Sequence, residues 1–473
     1  MGTINSALSL TSGALDADQA ALSVAANNVA NANTAGYTEE TPNWQENQPI
    51  EIGGISAGDG VTETGATSQR DRVLEERLDQ QQQLASASST RLTALNNIQA
   101  LFTPDSGSSS ATAGDIGSDI TSFFDSFSSL ESDPTNNALR EQVLSSASTL
   151  AGDISSAASS LNAQSAALDQ EASGVVGQVN SLTSSIAQLN LEIQSSSPNA
   201  DAGTLEDQRQ QDLSQLSKLI GINQVTTENN GLSITTTSGQ LLVSEGQNFQ
   251  LTTGTVDGVT DFFLAGTNIT SQLATGGGQL GGYLTARDTD IPGALNSLDQ
   301  LAYGISTSVN AQNNAGTDLD GTTGSAANPL YIFNEPTQVA GSAASMSVVM
   351  TDPNQIAAAG AGAGTGDNSN ATAMASLAGQ SIVNGQMPIN YYSNFVSTLG
   401  ATVSEVQTEN TAQNASVTQL ETQNNALSSV NLNDEAAAMS TLESSYQAAS
   451  QVFTLLNTIM ASALNLGDQT AVS

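Results

Sequence analysis

The most regular alternation of apolar and polar positions lies near the C-terminus, where Met439, Leu442, Tyr446, Ala449, Phe453, Leu456, Met460 and Ala463 follow at steps of three and four. That spacing predicts a helix with one apolar seam. The stretch from Asp434 to Leu466 has no Gly or Pro, opens with two acids at the favourable end of the helix dipole, and stops before Gly467. A weaker counterpart stands at the N-terminus, where Leu8, Leu15, Leu22 and Val29 recur every seven residues, with Ile4, Thr11, Asp18 and Ala25 between them. Half of that seam is polar or small, so the segment gains order by packing on a partner, the C-terminal helix being the obvious one.

Between the ends, Leu74, Leu78, Leu92, Leu95 and Phe102 predict a helix closing near Pro104. Leu161, Leu168, Val175, Val179, Leu182, Ile186, Leu189 and Ile193 predict a longer one ending before Pro198. A further block runs from Leu205 to Ile220, and a return limb from about Ile291 to Asn310 and again through Val403, Val406, Val417, Leu420 and Leu427. From Ile222 to about Tyr283 the pattern changes to short runs rich in Thr and Val between turn residues, a small inserted β domain. A second insertion, Asn313 to about Asp352, mixes Gly-rich loops with strand-like Tyr331-Ile332-Phe333 and Ser347-Val348-Val349-Met350. The Ala and Gly run from Ala357 to Asn370 is expected to be a loop or linker.

The expected fold is therefore mainly α, elongated and multi-domain, with long antiparallel helices or coiled coil from both termini and a small inserted β domain. Its expected units are 1–60, an N-terminal helix and the segment after it; 61–221, a helical first limb; and 222–285, the β insertion. They continue with 286–312, a returning helix; 313–370, loops and short strands; 371–430, the return limb; and 431–473, the C-terminal heptad helix.

Composition narrows the partners. Eight basic against 46 acidic residues leave a net charge of −38, and Lys218 is the sole lysine. No basic patch is available to neutralise phosphates, so neither nucleic acid nor an anionic membrane is an expected partner. The chain has no His and no Cys, which removes Ser-His-Asp and Cys-His catalysis, zinc sites with those ligands, and disulfides. Met1 to Leu10 offers neither a basic n-region nor a long apolar h-region, and no run approaches the length of a membrane span. Export, if it occurs, is expected by a route that reads no cleaved hydrophobic peptide.

The remaining chemical motifs are weak. Gly276, Gly278 and Gly281 satisfy G-x-G-x-x-G but lack a surrounding βαβ pattern, and are expected to form a Gly-rich β turn with no helix opening on them. Asp318, Asp320 and Gly321 occupy three positions of a calcium loop whose first and twelfth positions are Gly316 and Ala327, so a turn is expected. Glu39-Glu40 and Glu75-Glu76 are expected to be solvated charge. No enzyme, metal or cofactor is expected.

The segment Ala25 to Tyr37 joins a helix end to an Asn-rich stretch and a glycine. A helix stop explains Gly36 and an anchoring role explains Tyr37, but four asparagines in seven residues point to repeated hydrogen bonding. The pattern A-N-N-x-A-N-x-x-T-x-G-Y, complete from Ala26 to Tyr37, resembles the N-terminal signature of bacterial flagellar axial proteins. Further blocks resemble one branch of them, the flagellar hook-associated protein 1 family: Leu205-Glu206-Asp207-Gln208-Arg209 with Leu213, Leu216, Ile220 and Gly221; Gly278 to Leu284; Asn310 to Gly316; and Val430 to Ala436.

The resemblance implies a structural subunit of the hook-filament junction, extracellular and exported without a cleaved signal peptide. Implied partners are further copies in a ring, the hook protein, a second hook-filament junction protein, and an export chaperone on the C-terminal helix. It places the assembly interface on Leu8, Leu15, Leu22, Asn27, Asn28, Val29, Asn31, Thr34, Gly36, Tyr37, Met439, Leu442, Tyr446, Phe453, Leu456 and Met460. A shorter middle than in large members implies a reduced outer domain. Another axial subunit, of hook or rod, and a secreted coiled-coil surface adhesin are the alternatives.

Overall fold

The computed structural model describes residues 2–52, 55–103, 115–196, 202–256 and 258–469. The proline stops expected at Pro104 and Pro198 lie outside them. The chain opens with α1 (Gly2–Asn31), followed by β1 (Glu40–Glu46), β2 (Ile50–Ile52), β3 (Ile55–Ala57) and β4 (Val61–Ser68). β1 pairs antiparallel with β4, and β2 with β3 at the tip. This hairpin was not expected, and the boundary drawn at 60/61 falls inside it. Its sequence alternates weakly because little of it is buried.

Helices α2 (Arg72–Ala100), α3 (Ile116–Ser132), α4 (Asn137–Ser196) and α5 (Thr204–Leu219) build the first limb. Asp71 starts α2, its Oδ1 accepting from the amides of Val73 and Leu74, each at 3.0 Å. The 60-residue α4 is a spine about 90 Å long. Its first half joins Phe123, Phe127, Leu150, Ile154 and Leu161 in the larger core, where the Phe123 ring meets Phe127 edge-on at 5.4 Å and Phe333 at 5.5 Å. Its second half packs Val175, Val179 and Ile186 against the β insertion.

That insertion comprises a four-stranded meander, β5 (Ile222–Thr226), β6 (Leu232–Thr236), β7 (Leu241–Ser244) and β8 (Gln247–Asn248). A three-stranded sheet follows, β9 (Leu251–Val256), β10 (Val259–Leu264) and β11 (Thr267–Asn268). Next come α6 (Thr270–Ala274) and α7 (Gly278–Thr285), then a π-helical turn over Ala286–Asp290 into α8 (Ile291–Ala315). A helix does open on the glycines, contrary to the sequence expectation. Gly277 and Gly278 have φ of +100° and +70°, and a Cβ on Gly278 would lie 2.5 Å from the Ile220 amide. One on Gly282 would lie 2.6 Å from the Ala87 carbonyl, so the glycines let α7 press against α2 and the end of α5.

The remainder is α9 (Ser342–Ser345), α10 (Ser369–Ser376), α11 (Pro388–Ser428) and α12 (Leu432–Gln469). The strand-like runs near Phe333 and Val348 form only an isolated bridge. The expected loop from Ala357 to Asn370 is irregular and mostly exposed from Gly360 to Asn368, but its first residues are core: Ile356 through Ala359 are buried. Small side chains let this backbone run through the interior, and its polar groups are matched there. Buried Arg140 donates to the Ile356 carbonyl at 2.6 Å, Asn313 Oδ1 accepts from the Ala357 amide at 2.9 Å, and Ala359 bridges Thr317. Asp318 tightens the neighbouring turn, accepting from the Thr322 amide at 2.7 Å with Gly321 at φ +80°. The whole is mainly α, with long helices at both termini and a small inserted β region.

Candidate assembly interface

The C-terminal end of α1 meets the N-terminal end of α12, so the two terminal helices lie antiparallel. On α12 the residues turned toward α1 follow the expected seam: Met439, Leu442, Phe453, Leu456 and Met460 are half-buried, while Tyr446 is more exposed. On α1 the buried face is Thr11, Ala17, Ala21, Ala25 and Asn28. Leu8, Leu15 and Leu22 are half-buried at its flank and Val29 is 40% exposed, so the leucine heptad is not the inward face. A seven-residue repeat drifts around a straight helix, and alanines allow a closer approach than leucines do.

Asn28 closes the joint. Its Nδ2 donates to Glu40 O at 2.8 Å and to Glu435 Oε1 at 2.6 Å, while its Oδ1 accepts from Tyr37 Oη at 2.8 Å and Glu40 N at 3.0 Å. One buried amide thus ties α1, the exit loop, β1 and α12 together. Asn31 Nδ2 donates to Asn27 Oδ1 at 2.9 Å, and Asn31 Oδ1 accepts from Thr34 Oγ1 at 3.3 Å, which closes the helix end. The chain then turns through Gly36 at φ +81°. Burial and the surrounding acids Glu40, Asp207, Glu435 and Glu39 hold the Tyr37 hydroxyl in its neutral, donating form.

The joint continues into α5. Thr38 donates through its amide at 3.1 Å and its hydroxyl at 2.9 Å to Asp207, which also takes the Arg70 guanidinium. Arg72 Nη2 meets Glu206 Oε2 at 2.9 Å. The Asn-rich signature and the Leu205 to Arg209 block, about 170 residues apart, therefore form one structural unit. Arg70 and Arg72 were not singled out from the sequence, and Asp207 was named only within the Leu205 to Arg209 block; the scarcity of basic residues was the available signal.

Beneath the joint, Glu75 is buried rather than solvated. Its carboxyl is pushed up to about 7 by burial, against the pull of Arg70 at 3.6 Å. Asp79 is pushed up to about 6 by burial, opposed by donation from Gln210 at 3.0 Å and Gln224 at 2.8 Å. Glu76, the second of the pair, is half-exposed. Among the described residues no group of three or more His, Cys, Asp or Glu is placed to hold a metal. No described helix is long and apolar enough to cross a membrane.

The signature segment matches the flagella basal body rod protein model over residues 8–38, and residues 105–327 match the flagellar hook-associated protein FlgK helical domain. With the paired terminal helices, these define the class: an axial protein of the bacterial flagellum. Flagellar hook-associated protein 1 of Salmonella typhimurium is 30% identical over 66% of this chain and 57% of its own length. The Bacillus subtilis protein of that description is 25% identical over 96% of each. The flagellar hook junction protein FlgK of Burkholderia pseudomallei shares the fold, with a TM-score of 0.62 at 18% identity over 74% of this chain and 99% of that one. These matches support the flagellar hook-associated protein 1 family, a family of structural flagellar proteins, as the one this chain resembles, and the chain spans little over half of the Salmonella relative it matches.

Proposed function

We propose that the chain is a structural subunit of the junction between flagellar hook and filament, built into a ring through its terminal helices and without catalytic activity. Hook protein and a second junction protein are its neighbours in that reading. It is exported to the cell exterior, an export chaperone holding α12 beforehand, and it meets neither nucleic acid nor membrane.

The observation that carries this reading is the contrast within the terminal pair. Its root is knitted by Asn28, yet Leu10, Val29, Val452, Leu455, Ile459 and Leu464 stay exposed along the helices. Leu455 is 61% exposed. Val452, Leu455 and Ile459 form a second apolar line on α12, beside the seam that faces α1, and such a row on a two-helix unit calls for neighbours. Of the Leu8, Leu15, Leu22 and Val29 line, Val29 belongs to this exposed set and the three leucines flank it half-buried. The match over residues 105–327 favours this reading over a hook or rod subunit.

A strain lacking the gene builds hooks without filaments and sheds filament protein into the medium, and this chain restores filaments in that strain. Filaments present in the deletion strain would refute the proposal.

A further inference from the structure

Between α1, β1 and α12 lies an open groove of about 400 Å³. Its floor is apolar, formed by Ala21, Val24, Ala25, Pro42 and Leu442, and the chain's only tryptophan, Trp44, stands in its wall with 47% of its surface exposed. Its rim is acidic, with Glu39, Glu40 and Asp434, and Glu435 lies buried below them. Among the described residues no Lys or Arg pairs with Glu39, Asp434 or Glu435. The Glu39 carboxyl is raised by burial and by Glu435, as expected of acids crowded without a cation.

The chain has few cations to offer such a rim. Arg70, Arg72, Arg91 and Arg287 are ion-paired internally. Arg140 and Arg209 donate to buried carbonyl and amide oxygens. Arg77 and Lys218 are exposed and enter none of these pairs. Lys218 on α5 has polar Ser214 and Gln211 beside it on its helix face. Arg77 instead lies on an exposed stripe of α2, between Val73, 68% exposed, and Leu84, 47% exposed. The steps from Val73 through Arg77 and Gln80 to Leu84 are four, three and four, which is one helix face.

We infer that the groove of one subunit receives the Val73, Arg77 and Leu84 face of α2 from a second copy, with Arg77 over Trp44 and between Glu39 and Asp434. Apolar side chains then meet the apolar floor, and the guanidinium meets both the acids and the indole face. Groove and stripe are different surfaces of the same chain, so the contact is head-to-tail and propagates into a ring if the rotation closes. The inference rests on the ring reading above and names its contact.

The absence of Cys makes the test direct. The full chain carrying Arg77→Cys and Asp434→Cys together is treated with a short bis-maleimide, both concentrated in solution and in isolated hook-filament junctions. A covalent ladder of three or more subunits is expected. Either single variant gives dimers at most, and Lys218→Cys with Asp434→Cys gives no ladder. Protein present in junctions without the Arg77 ladder overturns the docking and leaves the ring reading standing. Parent protein absent from junctions overturns the ring reading, and the ladder in solution then decides the docking alone. A ladder through Lys218 instead also overturns it. Arg77→Glu and Asp434→Arg each lower incorporation about tenfold, and combined in one chain they recover most of it; no recovery counts against the contact.

Discussion

The helical body and the terminal pair use helices for different ends. In the body, α3, α4 and α8 bury Phe123, Phe127, Ile154, Leu161, Leu298 and Ile305 completely. In the terminal pair, the buried apolar residues of α1 are alanines, and α12 shows valine, leucine and isoleucine to the outside. The body completes its core within one chain; the pair completes only its root. Side-chain size marks the difference, since large residues turned inward make a fold and large residues turned outward make a polymer contact.

The largest effect on the body is expected from Phe123→Ala, which opens a cavity among stacked rings and costs about 3–5 kcal/mol in chemical unfolding. If the body and the pair were one cooperative unit, Phe453→Asp would cost as much. Instead Phe453→Asp is expected to abolish incorporation at the hook tip while leaving the melting temperature of the body nearly unchanged. Equal loss of both would place α12 in the core.

Asn28→Ala ranks next. It strips partners from Tyr37, Glu435 and both polar groups of the Glu40 backbone, at about 1–3 kcal/mol. The loss should appear as faster amide exchange over the first turns of α12, with α4 unaffected. The triple replacement of Asn27, Asn28 and Asn31 by Ala should still be secreted, yet incorporate poorly; failure of secretion would assign the segment to export recognition.

A smaller effect concerns pH at the joint. The folded pKa values of Glu75 and Asp79 are raised, so each carboxyl favours the folded state when protonated. That contribution is complete below the ordinary values of about 4.5 and 3.8 and is lost as pH rises through about 7 and about 6. Stability should therefore decline between about pH 4 and pH 7, and Glu75→Gln should flatten the decline by about 1–3 kcal/mol. A Glu75→Gln curve parallel to the parent's would refute the assignment.

Sequence patterning identified α2, the second half of α4, α5, α8, much of α11 and the α12 seam because large apolar residues at steps of three and four have one stable placement in a helix, but it left out α3 and the first half of α4. It also marked Asn27, Asn28 and Asn31, since asparagine repeated at a helix end has few uses other than hydrogen bonding. On the inward face of α1 it named Thr11, Ala25 and Asn28 but missed Ala17 and Ala21, because alanine is equally common inside and outside. It misjudged Ala357 to Ala359 for the same reason, as nothing in an Ala and Gly run tells a linker from a segment threaded through a core. The Arg70 and Asp207 joint was hidden because its partners are far apart in the chain. Gly278 and Gly282 were legible as unusual, but their close neighbours, Ile220 and Ala87, come from elements that only the fold brings near.

Whether the terminal pair is completed by assembly is tested most directly by amide exchange on the dilute monomer and on isolated junctions. Residues 2–31 and 432–469 should exchange orders of magnitude faster than α4 in the monomer and match it once assembled. Protection of the terminal helices equal to that of α4 in the dilute monomer would contradict it.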